Sequence, residues 1–165
     1  MADPERKGRF ERAAEAAVAS RPGAWFFIHV APRIDRQLLK LTNGRVTTAG
    51  FDRVGFLKVR GAKTGQERIT PLVFTRDGEN VLLVASRGGD VKHPAWYLNV
   101  TANPDVRFSI SGDERAYLGH TASEEERERL WPKVVHRYSG YTVYQQRAGD
   151  RQIPVVVLEP AGDPA

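Results

Sequence analysis

The stretch from Arg68 to Ser86 reads RITPLVFTRDGENVLLVAS, and it decides the fold class. Two apolar, β-branched segments lie on either side of Asp77-Gly78, a dipeptide that is typical of tight hairpin turns. We therefore expect one strand over Arg68–Arg76 and an antiparallel strand over Asn80–Ser86. The sequence predicts a β-hairpin here and not a parallel α/β unit.

Further short strands surround this hairpin. Val54–Arg60 precedes it, Val106–Ile110 and Arg115–Thr121 flank a second turn at Gly112-Asp113, and Ile153–Leu158 follows later in the chain. Short antiparallel strands with few crossover helices are typical of a small closed barrel. The expected fold class is therefore mainly β, with helices added (α+β).

The first 50 residues differ from the rest because their apolar positions recur at helical spacing. One helix is expected between Glu5 and Ser20, and a second follows the break at Arg21-Pro22-Gly23. We divide the chain into a helical cap over residues 1–50, a barrel domain over 51–160 and a disordered tail over 161–165. The alternative to a cap over the core is a basic amphipathic surface that contacts a membrane peripherally.

Two more helices are expected within the barrel domain. His93–Ala102 has a short helical pattern that Asn103-Pro104 ends. Ser123 and Glu126 form a capping box, which starts a helix through about Arg137.

The composition excludes several kinds of chemistry. No cysteine occurs among the 165 residues, which removes disulfides, thiol nucleophiles and thiolate metal ligands. The four histidines form no i, i+4 pair, so no metal site is expected. The net charge of +5 is too small to indicate nucleic-acid binding, and no secretion signal or membrane-spanning run occurs. We expect a cytoplasmic monomer or homodimer that acts on a small molecule.

The segment from Arg60 to Arg68, RGAKTGQER, is the strongest candidate for a binding turn. Gly61 and Gly65 allow a ligand to approach the backbone closely, and Lys63 and Arg68 add positive charge. The next segment is strand-like, so the turn lacks the helix that follows a P-loop. It either binds an anion or is a solvated hairpin tip.

Three other segments carry groups suited to a ligand, and each also has a purely structural interpretation. Ala85-Ser86-Arg87-Gly88-Gly89 offers a hydroxyl and a cation, or is a loop that needs glycine to turn. The pair Trp96-Tyr97 can stack on a ring or belong to the core. Tyr138, Tyr141 and Tyr144 would share one face of a helix, as hydrogen-bond donors or as packing residues.

The chain has no GxSxG elbow, no paired-carboxylate pattern and no GxGxxG fingerprint, so a cofactor is the expected source of the bond chemistry. In their order along the chain, the segments resemble the deazaflavin-dependent nitroreductase family of actinobacteria. The resemblance runs from about Val54 to Pro160. Its motifs are Gly61-Ala62-Lys63-Thr64-Gly65 with Arg68 and Thr70-Pro71-Leu72; Ala85-Ser86-Arg87-Gly88-Gly89; His93-Pro94-Ala95-Trp96-Tyr97-Leu98-Asn99 with Ala102-Asn103-Pro104; and Tyr141, Tyr144-Gln145 and Arg151-Gln152-Ile153-Pro154-Val155.

This resemblance implies a split β-barrel, related to FMN-binding pyridoxamine-oxidase-like barrels, that binds coenzyme F420. It implies that the turn around Lys63 holds the phosphate and acidic tail of the cofactor, and that Ser86 and the helix start at Trp96 line the deazaflavin ring. The implied cofactor-binding residues are Ala62, Lys63, Thr64, Arg68, Thr70, Pro71, Ala85, Ser86, Arg87, Ala95, Trp96, Tyr97, Asn99 and Tyr141. The implied catalytic residues are Tyr141, Ser86 and Tyr144.

The reaction implied by the resemblance is hydride transfer from reduced F420 to an electron-poor acceptor, namely an enone, a quinone or a nitroaromatic compound. Ser86 or Tyr141 would then stabilise the negative charge that develops on the acceptor. Two alternatives stay open at this point. One is an FMN-dependent reductase on the same barrel, and the other is a non-catalytic F420-binding protein.

Overall fold

The computed structural model describes residues 54–162. Six antiparallel strands form a closed barrel in the order β1-β2-β3-β6-β5-β4, and β4 pairs back onto β1. The strands are β1 (Val54–Arg60), β2 (Glu67–Asp77), β3 (Asn80–Val84), β4 (Asp105–Ile110), β5 (Asp113–Thr121) and β6 (Val155–Pro160). The barrel expected from the short strands and tight turns is confirmed.

Helices lie against this barrel at three places in the described range. They are α1 (Ala95–Ala102), α2 (Glu124–Arg137) and α3 (Gly140–Arg147), with a short 3-10 turn at Arg87–Gly89. The expected capping box is present at the start of α2, where the Ser123 hydroxyl accepts from the Glu126 N–H and the Glu126 carboxylate accepts from the Ser123 N–H. This box satisfies two of the backbone donors that a helix start leaves free.

The barrel interior is filled from alternate positions of the strands, because successive side chains of a strand point to opposite faces. Phe74 and Phe108 meet edge to face there, with ring centroids 5.7 Å apart. Helix α1 adds two side chains to the same core. The interior core consists of Leu57, Val59, Phe74, Val81, Leu83, Ala85, Trp96, Val100, Val106, Phe108, Tyr117, Val156 and Leu158.

A second apolar cluster covers the outer face of β3 and β6. We call it the outer cluster; its buried members are Leu82, Val84, Leu130, Val134, Tyr141, Tyr144, Ala148, Ile153, Val155 and Val157. Helices α2 and α3 supply the residues that lie over the strands. Because both faces of β3 and β6 are buried, their sequences are apolar without the usual alternation.

Five of the six strands differ from the expected bounds by one or two residues, and the differences at the end of β3 and the start of β6 lie at the same end of the sheet. β3 ends at Val84 and not at Ser86, because Ser86 has helical backbone angles and the chain turns there. β6 begins at Val155 and not at Ile153, since its pairing with β3 starts at the Val84–Val155 pair.

Two helical expectations are also corrected. Helix α1 begins at Ala95 and not at His93, because Pro94 is extended, with φ −68° and ψ 148°. Tyr138 does not share a helix with Tyr141 and Tyr144, since it terminates α2 in an extended conformation before α3 begins.

Some expectations fall beyond the structurally described part of the chain. The helices expected within residues 1–50, and the membrane contact considered for them, lie outside it, as do residues 163–165. Ala161, placed in the expected disordered tail, donates its N–H to the carbonyl of Ala116 on β5 at 3.1 Å. No helix of the described chain is long and apolar enough to cross a membrane.

Candidate active site

The barrel opens along one side of β2. β1 pairs with β2 over Glu67–Val73, whereas β3 pairs with β2 only over Phe74–Asp77. The second edge of β2 over Glu67–Val73 therefore pairs with no strand among residues 54–162, and we call it the open edge. At about 3.3 Å per residue it is roughly 20 Å long. Pro71 suits this position because proline has no N–H to donate to a neighbouring strand.

The chain that leaves β3 turns away from the open edge. The Ala85 N–H donates to the carbonyl of Pro154 at 2.9 Å, so this residue stays beside β6. We call the segment Ala85–Pro94 the Ser86 loop. Two predicted binding residues, Thr70 and Pro71, thus lie on the open edge, and the Ser86 loop begins where β2 and β3 separate.

The Ser86 loop has an unusual backbone. Arg87, Gly88 and Gly89 follow one another with positive φ angles of 50°, 67° and 84°. For a non-glycine residue such as Arg87, this conformation costs on the order of 1–3 kcal/mol, and such residues cluster at functional sites. Gly89 is required for a second reason, since a Cβ there would lie 2.6 Å from the carbonyl oxygen of Tyr144.

The loop carries one buried hydroxyl, on Ser86, and two exposed cations, Arg87 and Lys92. Ser86 is only 8% exposed, and apart from tyrosines it is the only buried polar residue in the described part of the chain. Arg87 makes an ion pair with Asp90 at 3.2 Å and donates to the carbonyl of His93 at 3.2 Å. The N–H of Lys92 and the charge of Arg87 hold the pKa of the Asp90 carboxyl below its ordinary value.

The turn between β1 and β2, which we call the Lys63 turn (Gly61–Gln66), is closed by its own backbone. The N–H of Gly61 donates to the carbonyl of Gln66, and the N–H of Gly65 donates to the carbonyl of Gly61, both at 2.8 Å. The Ala62 N–H donates to Asn99 on α1 at 3.0 Å. The N–H groups of Lys63 and Thr64 donate to no group within residues 54–162.

The cations of this turn carry no counter-charge. Neither Lys63 nor Arg68 makes an ion pair with any described residue, and Arg68 only donates to the neutral Gln66 side chain at 3.2 Å. Two free cations and two free N–H groups on one turn form a site that suits an anion such as a phosphate.

Nearby cations on β1 and β4 are neutralised instead. Lys58 lies 3.3 Å from Glu114, and Arg107 lies 2.6 Å from the same carboxylate. The hydrogen bond from Arg107 holds the pKa of Glu114 below its ordinary value. The cavity of about 260 Å³ there is lined by three cations, Lys58, Arg60 and Arg107, and by the carboxylates of Glu67 and Asp105. With Glu114 beside two of these cations, positive and negative charges balance, so the cavity offers little net charge to an anion.

Helix α1 connects the interior core with both parts of the site. Trp96 is 7% exposed and packs in the interior core, so its burial favours the core interpretation over stacking on a ligand. Tyr97 is half-buried; its ring lies 4.9 Å from that of His93, and its hydroxyl lies 3.1 Å from that of Thr121. Ala95 at the helix start is exposed.

The predicted catalytic tyrosines lie in the outer cluster. Tyr141 and Tyr144 are each 6% exposed, and Tyr138 packs against both, with its hydroxyl 3.0 Å from that of Tyr144. Burial raises the pKa of the Tyr141 phenol, and it does the same for Tyr144. Both hydroxyls therefore stay protonated at neutral pH and are able to donate.

Comparison with known proteins identifies the family. The model of the family described as F420H(2)-dependent quinone reductase matches residues 31–160. The chain belongs to this family. It is therefore an F420-dependent oxidoreductase. The resemblance found in the sequence is confirmed, and the family is described by its quinone reductase activity.

Relatives and solved structures agree with this assignment. An F420H(2)-dependent quinone reductase of Mycobacterium tuberculosis (strain ATCC 25618 / H37Rv) is 40% identical over 145 residues, which cover 81% of this chain and 95% of that protein. A solved F420-H2 dependent reductase is 37% identical, with a TM-score of 0.61 over 65% of this chain and 94% of that one. Another solved chain, described as a domain-swapped dimer, is 34% identical, with a TM-score of 0.64 over 84% of this chain and 99% of that one.

Sequence reasoning assigned no role to Arg151, although the structure places it at the site of this F420-dependent reductase. Arg151 lies 65 residues after Ser86 in the chain, yet its guanidinium donates to the Ser86 carbonyl at 2.9 Å. No local pattern marks such a contact, because an arginine in a loop is usually solvated. Clusters of three or more metal-ligating side chains are absent from the described residues.

Proposed function

We propose that this F420-dependent oxidoreductase reduces a quinone, with enones and nitroaromatic compounds as further acceptors, and that it holds F420 along the open edge of β2. The Lys63 turn would bind the phosphate and acidic tail, and the Ser86 loop would line the ring. The observation that carries this proposal is the pair of unneutralised cations, Lys63 and Arg68, beside two free N–H groups.

The shape of the site supports an elongated ligand. The open edge is roughly 20 Å long at about 3.3 Å per residue, and the Lys63 turn adjoins its first residue, Glu67. Thr70 and Pro71 lie along it, and the Ser86 loop begins near its other end. The residues present therefore fit a cofactor with a ring at one end and anionic groups at the other.

When bound, reduced F420 supplies a hydride to the acceptor. The chain supplies position and charge stabilisation, which together account for much of the rate enhancement of such enzymes. Ser86 or Tyr141 donates a hydrogen bond to the acceptor oxygen as negative charge develops on it. Tyr144, whose backbone lies against Gly89 of the Ser86 loop, is the third candidate donor.

Two measurements on the purified protein test this function. Fluorescence titration with F420 and with FMN should show selective binding of F420, because the free cations match its more anionic tail. Steady-state oxidation of reduced F420 should proceed with menadione, and more slowly with cyclohexenone or a nitroaromatic compound. Tight FMN binding without F420 binding would overturn the cofactor assignment, and F420 binding without turnover on any acceptor would leave a non-catalytic binding protein.

We also propose that the chain forms a homodimer. The solved chain of 34% identity is described as a domain-swapped dimer and covers 84% of this chain. Light scattering coupled to size-exclusion chromatography should give twice the 18.4 kDa mass of one chain. A monomer mass over the whole concentration range would refute the dimer.

A further inference from the structure

We infer that Arg151 is a positioning residue, which holds the Ser86 loop in its strained conformation and so sets the places of Ser86 and Arg87 in the site. The inference rests on the proposed function, because it assigns a role within that same site. It concerns a residue that lies beyond the turn after α3, far from the loop in sequence.

The Arg151 guanidinium is bound to three carbonyl groups of the loop. Its Nε donates to the Asp90 oxygen at 2.9 Å, and its Nη2 donates to the Asp90 oxygen at 2.6 Å and to the Ser86 oxygen at 2.9 Å. Its Nη1 reaches the Ala85 oxygen at 3.4 Å. A planar guanidinium presents its donors in a fixed fork, so it holds these acceptors in one relative geometry.

These contacts bracket the strained part of the loop. Ser86 and Asp90 lie on either side of Arg87–Gly89, the three residues with positive φ. Within the segment, only the Gly89 N–H to the Ser86 carbonyl (3.0 Å) and the Asp90 N–H to the Arg87 carbonyl (3.2 Å) close the turn. A non-glycine residue keeps such an angle only where its surroundings determine the conformation, and Arg151 supplies that constraint from both sides.

The side chain and the backbone of Arg151 have separate partners. The backbone carbonyl accepts from the Gln145 side chain on α3 at 2.9 Å, which any substitution at position 151 retains. The side chain donates to the loop, and its Nη1 lies 3.4 Å from Nδ1 of His93, also in the loop. Burial and the Arg151 charge lower the pKa of His93, so the ring is neutral at pH 7 and Nδ1 is able to accept. Arg151→Ala therefore removes the contacts with the loop and keeps the backbone contact with α3.

The chain offers a matched control in Arg127. Its guanidinium is half-buried, donates to the Ile153 carbonyl at 3.0 Å and to the Gln145 side chain at 3.1 Å, and donates to no group of the Ser86 loop. Arg127→Ala thus removes two side-chain hydrogen bonds, and the contact of the guanidinium with the Trp131 ring at 4.2 Å, from the same region of the fold. It reports the general cost of losing a partly buried arginine.

The experiment compares Arg151→Ala with Arg127→Ala and the parent. Amide hydrogen exchange should rise at least about tenfold at Gly89 and Asp90 in Arg151→Ala and stay at the parent level in Arg127→Ala, because only the first loosens the loop. The KM for reduced F420 should rise about tenfold or more, the effect of one or two lost charge-assisted hydrogen bonds. Millimolar guanidinium should bring both the loop exchange rate and the KM part of the way back to the parent values, since it can bind where the Arg151 guanidinium was removed.

Unchanged loop exchange in Arg151→Ala overturns the inference, as does an equal rise in Arg127→Ala. If Arg151→Ala is recovered unfolded, Arg151→Lys takes its place: an ammonium cannot reproduce the fork, so loop exchange and KM must rise in it too. A parent that does not bind F420 overturns the proposed function alone, because loop exchange still tests Arg151. A parent that binds F420, with a loosened loop but unchanged KM in the variant, overturns the positioning role alone.

Discussion

The side-chain oxygen of Asn99 accepts a hydrogen bond from the backbone N–H of Ala62 at 3.0 Å. This contact ties the middle of α1 to the Lys63 turn. Asn103 adds a second tie, because its side-chain amide donates to the carbonyl of Arg60 at 3.1 Å. A turn that is held in one conformation loses less conformational entropy when it binds a ligand.

Removal of this tie should weaken the cofactor site. Asn99→Ala is expected to lower F420 affinity roughly three- to tenfold, the range for one neutral hydrogen bond. Fluorescence titration measures it, and Asn80→Ala in the β2–β3 hairpin is the control, expected to bind like the parent. Parent-like affinity in Asn99→Ala would show that the turn does not depend on α1.

The free cations of the Lys63 turn should dominate cofactor affinity. Lys63→Ala and Arg68→Ala are each expected to weaken F420 binding by roughly ten- to a hundred-and-fifty-fold, the range for a hydrogen bond to a charged group. Both variants should also show a flatter dependence of affinity on salt, since exposed charges are screened. Arg76→Ala, farther along β2 and equally exposed, is the control. If both variants bind F420 like the parent at low and high salt, the turn is only a hairpin tip.

Trp96 should behave as a core residue. Trp96→Ala is expected to reduce the free energy of unfolding by about 3–5 kcal/mol, the usual cost of truncating a buried aromatic residue. Thermal or urea unfolding measures this, with the half-buried Trp131→Ala as the comparison that should lose less. A nearly unchanged melting curve with reduced F420 affinity would instead return Trp96 to the stacking interpretation.

The hydroxyl of Tyr141 should matter for turnover and not for binding. Tyr141→Phe keeps the buried ring and removes the donor, so F420 affinity should stay near the parent value while kcat falls by roughly ten- to a thousandfold. Oxidation of reduced F420 with menadione gives both quantities. Tyr117→Phe, a buried tyrosine of the interior core, should keep the parent kcat. Parent-like rates in Tyr141→Phe would leave Ser86, Tyr144 or water as the donor.

His93 should make stability depend on pH on the acidic side. Burial and the Arg151 charge lower its pKa in the folded protein, so below about pH 6.5 the unfolded chain takes up a proton that the folded state binds less readily. The free energy of unfolding should therefore decline as pH falls from 7 to 5, and less steeply in His93→Gln. Urea unfolding at several pH values measures the slopes, with His136→Gln as the exposed control. Identical slopes in parent and His93→Gln would remove this contribution.

Much of the fold could be predicted from the sequence because its signals are local. The Asp77-Gly78 turn, the capping box at Ser123 and Glu126, and the bounds of β1 each depend on residues a few positions apart. Hydrophobic patterns and turn residues determine structure over that distance, so the barrel strands could be predicted from the sequence. The motif-based resemblance added the family, which the comparisons confirmed.

Only the tertiary structure decided which candidate residues are available to a ligand. The sequence shows Lys58, Lys63 and Arg107 as equivalent cations, but Glu114 on β5 forms ion pairs with two of them and with Lys63 it forms none. The opening of the barrel along β2 likewise follows from where its pairing with β3 stops. The clamp of Arg151 on the loop joins residues 65 positions apart, and no local propensity encodes such a contact. Charge pairing, burial and the contacts that hold the Ser86 loop depend on segments that only folding brings together. They could therefore not be predicted from the sequence alone.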